Sequence, residues 1–287
     1  MSSLGFGLVS AAVLAIAAVG FTMQFAVANV LNLAYGAVMI NSAFVAYYLN
    51  VHGDINPWIA MIGGIATGAL GSYLLNRFIY TPFQRRNPMS ITVIMAALGM
   101  DIAITFGLQA IVGGGFFSYR QSTGTLFRIL GMDINLLQLI IMGISAAVMV
   151  LTTWLLKFTR LGKAMRATSA NPNLARNSGV RTSSVITTTW LISGSLCGLA
   201  GTVFAMETGV FEATSAQLYI VIILAAMFLG GPGKPYGAML GAVIIGISTE
   251  LSAAVFNPQY KMVVAYILLL AILTFRPNGL FGSEMSA

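Results

Sequence analysis

The sequence predicts an all-α fold: a polytopic transmembrane helical bundle of about eight to nine membrane segments, some of them short or discontinuous. Three observations carry that expectation. Hydrophobic residues make up 58% of the 287-residue chain and charged residues only 7%. Soluble domains carry roughly 25% charge, so this chain cannot cover a water-facing surface. The first formal charge is Asp54, and an uncharged run of that length exceeds one crossing, because about 20 apolar residues span the hydrocarbon core. The apolar runs recur along the whole chain between short polar loops, so 1–287 reads as a single transmembrane domain.

Taken in order, the opening MSSLGFGLVSAAVLAIAAVG has no Lys or Arg ahead of its apolar run, and the run continues past any cleavage site. It is expected to be a retained first span rather than a secretory signal. Hydropathy places segments at 8–30, 33–49, 58–75, 91–112, 136–156, 185–205, 218–229, 238–255 and 262–275. The break around Asn32 to Gly36, and the short run that ends in GGPGKPYG, point to discontinuous or re-entrant helices. Loop 76–89 holds Arg77, Arg85 and Arg86, and loop 157–184 holds Lys157, Arg160, Lys163, Arg166, Arg176 and Arg181. Basic loops stay cytoplasmic. Alternation then puts loops 113–135 and 206–217 outside, Lys234 and Arg276 inside, the amino terminus external and the carboxy terminus cytoplasmic. Nine crossings satisfy this scheme; eight full spans plus a re-entrant piece is the alternative.

The net charge of +7 is explained by topology and anionic lipid rather than nucleic acid, because the cations cluster in particular loops. The single Cys197 has no partner for an intrachain disulfide, and neither it nor His52 has neighbours that suggest a metal site. No nucleophile elbow or zinc pattern appears, so the chain is not expected to be an enzyme. GPGKP around Lys234 lacks the earlier Gly of a phosphate loop, and Pro235 stands where Ser or Thr would bind magnesium. No cofactor is expected on this chain; if ATP hydrolysis drives it, the ATP and Mg must be bound on another subunit.

Asp101 and Glu250 lie within apolar segments, where a charge costs about 2.5–3.5 kcal/mol on insertion scales. They read either as interhelical hydrogen-bonding groups or as substrate contacts. Asn32, Tyr35, Gly36 and Asn41 are the candidate substrate path, because an interrupted helix frees backbone donors and acceptors for a polar solute; helix packing is the alternative. Gly230, Gly231, Gly233, Gly237 and Gly241 are expected to permit a tight break followed by close helix packing.

The basic loop has helix grammar. In NPNLARNSGV, Asn171 can cap, Pro172 suits the first helical position, and Gly179 supplies a stop. Upstream, RLGKAMRATSA can form a helix continuing from the preceding span, with Met165 as an apolar knob. Two short helices of this kind, with small residues such as Ala175 on one side, suit insertion into a partner's groove; an ordinary solvated loop is the alternative.

RLGKAMRATSANPNLARNSGV, followed by ITTTWLISGSLCGLAG, resembles the cytoplasmic coupling loop of ABC transporter permeases for branched-chain amino acids and urea. VLNLAYGAVMINSAFVAYY resembles that family's early Asn-Phe-Ala-His-Gly block, with Leu33 and Tyr35 in place of Phe and His. YTPFQRRNPMSITVIMAALGM, LGGPGKPYGAMLGAVIIGISTEL and VAYILLLAILTFRPNGLFG resemble further family blocks in the same order. The resemblance implies an inner-membrane permease working by alternating access. It implies a second related permease, two ATPase subunits and an extracytoplasmic solute-binding protein as partners, and a small amino acid such as leucine, isoleucine or valine as substrate. Residues 161–179 then couple to the ATPases, with Arg160, Gly162, Lys163, Arg166, Asn171, Ala175 and Gly179 as contacts. The rival reading is a self-sufficient secondary transporter or channel that uses Asp101 and Glu250.

Overall fold

The structure is a computed structural model of the chain and describes residues 2–86, 90–120, 126–129, 132–255, 260–276 and 278–281. The helices are α1 (Ser2–Ala28), α2 (Tyr35–Val51), α3 (Pro57–Leu74), α4 (Thr81–Arg86), α5 (Ser90–Val112), α6 (Leu136–Phe158), α7 (Arg160–Ala170), α8 (Pro172–Asn177), α9 (Thr182–Thr208), α10 (Ser215–Gly230), α11 (Pro235–Val255) and α12 (Lys261–Phe275). A π-helical turn, Leu75–Tyr80, joins α3 to α4. Each of the nine apolar segments read from the sequence falls on a helix.

Six helical stretches among the described residues, Gly5–Ala28, Pro57–Gln84, Ile91–Val112, Leu136–Phe158, Thr182–Thr208 and Pro235–Val255, are long and apolar enough to cross a membrane. Gln217–Gly230 and Lys261–Phe275 are shorter apolar helices. The ninth, α2, is sheathed by the others and buries residues along most of its length. The fold is therefore an all-α polytopic bundle. One departure lies in 113–135, which the sequence presented as plain loop. It carries a hairpin of β1 (Leu126–Ile129) and β2 (Met132–Asn135), antiparallel with Leu126 opposite Asn135.

Local chemistry sets the helix starts. Asn56 Oδ1 accepts from the Trp58 N–H at 3.0 Å, with Pro57 at the first helical position, which opens α3. At α6 the Asn135 N–H donates to Gln138 Oε1 at 3.0 Å. Within the spans, hydroxyls of Ser42, Thr67, Thr189 and Thr249 donate to carbonyls one turn back, which satisfies them without water.

The centre of the bundle is α9, packed against α1, α2 and α3. α3 and α9 meet through facing Gly-x-x-x-Gly pairs, Gly64/Gly68 and Gly194/Gly198. A Cβ on Gly68 would overlap the Gly194 carbonyl, and one on Gly198 would overlap the Gly64 carbonyl, so the two backbones touch directly. By contrast α5 joins the bundle through a single stripe spaced by fours, Val93, Ala97, Asp101 and Thr105. Its other face exposes Ile91, Met95, Ile102 and Phe106, which suits hydrocarbon or a partner helix.

Two ends are defined by contacts. Ser10 reaches Glu207 and Glu250, and Lys261 reaches Glu250, so the start of α1, the ends of α9 and α11 and the start of α12 share one end. At the other, the Leu280 N–H donates to the Leu229 carbonyl at 2.8 Å. There the ends of α1 and α6, helix α7, residues 233–237 and Phe281 surround one cavity of about 770 Å³. The amino terminus and loop 157–184 thus lie at opposite ends, and the tail through Phe281 lies at the loop's end.

Candidate functional site

The basic loop forms a helical hairpin. Thr159 Oγ1 accepts from the Gly162 N–H at 3.0 Å and starts α7 directly after α6. Gly162 is buried, and a Cβ there would overlap the Leu155 and Leu156 carbonyls, so glycine allows α7 to fold tightly onto the end of α6. Arg166 donates to the Leu156 carbonyl. Met165, at 2% exposure, packs with Val19, Met23, Leu156 and Val185. The expected apolar knob is thus an anchor into the bundle, while Arg160, Lys163 and Arg166 are exposed around it.

α8 follows its predicted grammar. Asn171 Oδ1 accepts from the N–H groups of Asn173 and Leu174 at 3.1 and 3.0 Å, and Pro172 occupies the first turn. Gly179 has φ +85° with nothing within 4 Å of a built Cβ, so backbone conformation rather than space favours glycine there. Exposure differs from the small-residue face read from the sequence. Ala175 is buried at 5%, whereas Leu174 is 64% exposed. The apolar group that α8 presents outward is Leu174. In a helix of six residues the pattern is too short to fix which neighbour faces in.

The early block is interior. Between α1 and α2 the chain leaves the helix, and its polar groups are tied to neighbouring elements. The Tyr80 O–H donates to Asn32 Oδ1 at 2.5 Å, and Asn32 Nδ2 donates to Gln24 Oε1 at 3.4 Å. Tyr35 is fully buried, with its O–H 3.4 Å from the Ser193 carbonyl and its ring edge-on to Phe21. The Cys197 thiol lies 3.2 Å from the Tyr35 carbonyl. Gly36 is buried and Asn41 half-buried on α2. The structure thus brings Asn32 and Tyr35 together among packed helices, each hydrogen-bonded to a neighbouring element.

The two intramembrane acids are far from equivalent. Asp101 is 9% exposed on the α5 stripe, and its Oδ1 has no hydrogen-bond partner among the described residues. Glu250 lies 2.5 Å from Lys261 Nζ and 3.1 Å from Ser10 Oγ, which also approaches Glu207 Oε1 at 3.1 Å. Of this group the sequence singled out Glu250 alone; Ser10 and Glu207 are far from it in the chain, and Lys261 is 11 residues on. The glycine block lies where α10 gives way to α11. Gly231 and Gly233 have φ +108° and +77°, and Gly230 and Gly237 are in backbone contact between α10 and α11. In the loop 113–120, the Tyr119 O–H donates to the Ala43 carbonyl at 2.6 Å, and burial pushes that phenol above its usual pKa range.

A chain of apolar helices threaded this way, with a capped basic hairpin at one end, has known counterparts. The family described as branched-chain amino acid transport system / permease component matches residues 3–273. The chain belongs to that family. This permease is 28% identical to the high-affinity branched-chain amino acid transport system permease protein BraD of Pseudomonas aeruginosa, over 96% of this chain and 94% of that one. It is 29% identical to the probable branched-chain amino acid transport permease protein LivH of Methanocaldococcus jannaschii, over 94% and 89% of the two chains. It is also 27% identical to the galactofuranose transporter permease protein YtfT of Escherichia coli, over 92% and 76%. Among solved structures, PsaBC from Streptococcus pneumoniae in complex with Fab shares the fold, with TM-score 0.55 and 16% identity over 97% of this chain and 93% of that one. The permease is thus a multi-pass membrane protein and a transport component.

Proposed function

We propose that this permease is the membrane subunit of an ATP-driven importer for branched-chain or other small amino acids, working by alternating access. The observation that carries the reading is the α7–α8 hairpin. It is anchored on α6 through Gly162 and Met165, capped by Asn171, and presents Leu174 at 64% exposure beside exposed Lys163, Arg166 and Arg176. An apolar knob ringed by cations on a short rigid helix suits a groove in another protein. ATPase subunits, with their ATP and Mg, are the partners that fit an engineless chain. A second related permease and an external solute-binding protein complete the assembly.

Charge supports the orientation. Arg77, Lys157, Arg160, Lys163, Arg166, Arg176, Arg181, Lys234 and Arg276 gather at the hairpin end, against Arg120, Arg128 and Lys261 at the other. Cytoplasmic loops of inner-membrane proteins carry this excess. The hairpin and carboxy terminus are then cytoplasmic and the amino terminus external.

The test is reconstitution. Proteoliposomes holding the chain with its ATPases, a second permease and the binding protein should accumulate leucine, isoleucine or valine only with ATP. The chain alone, under a proton or sodium gradient, should accumulate none; uptake there would favour a secondary transporter. Leu174→Asp should weaken ATPase docking. Burying a leucine contributes about 1.5–3 kcal/mol when complete, so a side chain 64% exposed before docking contributes up to about 1–2 kcal/mol. The loss in affinity should be roughly five- to thirtyfold, with unchanged insertion.

A further inference from the structure

The end of the bundle opposite the hairpin holds a charged cavity that coupling does not use. Ser10 Oγ on α1 lies 3.1 Å from both Glu207 Oε1 on α9 and Glu250 Oε1 on α11. Lys261 Nζ, at the start of α12, is 2.5 Å from Glu250 Oε1. A serine hydroxyl has one proton to donate, so it serves one carboxylate at a time. The one ammonium pairs with Glu250, so Glu207, which has no salt bridge among the described residues, carries charge there only at a cost. A buried charge is unfavourable until something neutralises it.

The surroundings narrow what that is. These groups wall a cavity of about 380 Å³, within the range of about 300–1,000 Å³ for small-molecule sites. Phe204, Ile222 and Met262 supply an apolar wall. Tyr219 leans on Phe204, ring centroids 4.5 Å apart, and lines the same cavity, where its hydroxyl is a further donor. A bare cation would neutralise Glu207 but leave the apolar wall and the Tyr219 donor unused. A primary ammonium on a short aliphatic skeleton uses all of them.

We infer that this cavity binds the transported amino acid itself, as a resting point at the far end of the path. Its ammonium sits on Glu207, its carboxylate takes the free N–H groups of Lys261 and the Tyr219 O–H, and its aliphatic side chain lies against Phe204, Ile222 and Met262. The inference rests on the amino-acid permease reading above. The site lies within one chain, among α1, α9, α10, α11 and α12, so it is complete without a second permease.

The experiment is equilibrium binding of radiolabelled leucine, isoleucine and valine to the purified full-length chain in nanodiscs. Leucine uptake by the reconstituted transporter is measured in parallel. The expected result is saturable binding of at least one of the three, displaced by isoamylamine, which keeps the ammonium, and not by isovalerate, which lacks it. Glu207→Gln, of the same shape, should weaken binding at least about tenfold, while Glu212→Gln, outside the cavity, should not. Absence of saturable binding, equal binding by Glu207→Gln, or displacement by sodium in place of amine overturns the site. Uptake by the assembled transporter that is indifferent to Glu207→Gln also overturns it and leaves the permease reading standing. A wild-type assembly that imports none of the three amino acids sinks that reading, and the site with it.

Discussion

Gly68 and Gly99 are both mid-helix glycines, and the structure assigns them opposite responses to the same methyl group. At Gly68 a Cβ would stand 2.6 and 2.7 Å from the N and Cα of Gly198, and closer still to the Gly194 carbonyl. Every one of those atoms is backbone, so no side chain can swing aside; α3 and α9 must part by about 1 Å to restore ordinary carbon contact. Forcing an extra methyl group into a packed interface costs about 1–3 kcal/mol. At Gly99 nothing lies within 4 Å, and alanine gains up to about 1 kcal/mol of helix propensity. Gly68→Ala should therefore melt below the native chain and Gly99→Ala at or slightly above it. The propensity gain is common to both variants, so they differ by about 1–3 kcal/mol; at roughly 2–4 °C per kcal/mol for chains of this general size they should separate by about 2–12 °C. The assay is thermal unfolding of detergent-purified protein at one scan rate, since such unfolding is often irreversible. Gly68→Ala melting at or above the native chain would refute backbone contact between α3 and α9.

Gly162→Ala should push α7 off the carbonyls of Leu155 and Leu156; ATP-driven uptake should fall sharply while the chain still inserts, checked by uptake beside the amount of protein in the membrane. Lys261→Met should lower the melting temperature by leaving Glu207 and Glu250 opposed across Ser10, and Glu250→Gln in the same chain should recover part of the loss. In a Cys197→Ala background, Arg176→Cys on exposed α8 should react with a membrane-impermeant thiol reagent only in inside-out vesicles; labelling of intact cells would reverse the proposed orientation. Asn171→Ala removes a capping acceptor for two N–H groups and should cost α8 about 1 kcal/mol, read as weaker co-purification of the ATPases.

The elements were legible because the signals that define them are local. Apolar runs, Pro172, Asn171 and the positive-φ Gly179 each act within a few residues, and all nine segments and both short hairpin helices appear where those signals stand. The contacts between elements were less legible. Ser10 and Glu207 are 197 positions apart, and Ser10 and Glu250 are 240 apart, so nothing local linked Glu250 to its neighbours. The π turn at Leu75–Tyr80 brings Tyr80 to Asn32, and no residue type in LNRFIY announces it. Asn32 and Tyr35 illustrate a third limit. Polar residues at a helix break suit a ligand or a packed interface equally well on paper, and nothing local foretold that Gln24, Tyr80 and Ser193 would be their hydrogen-bond partners.

Because Gly162 seats α7 directly on the last carbonyls of α6, and Arg166 clasps one of them, there is no slack at that joint. α6 has 23 residues, about 34 Å at 1.5 Å per residue, and it runs straight from the joint to Asn135 at the foot of the β-hairpin. Under the proposed docking, a push on Leu174 would therefore be passed along the axis of α6 toward the opposite face, much as a pushrod works. Because Met165 also packs on Val185 of α9, the central helix would feel the same push.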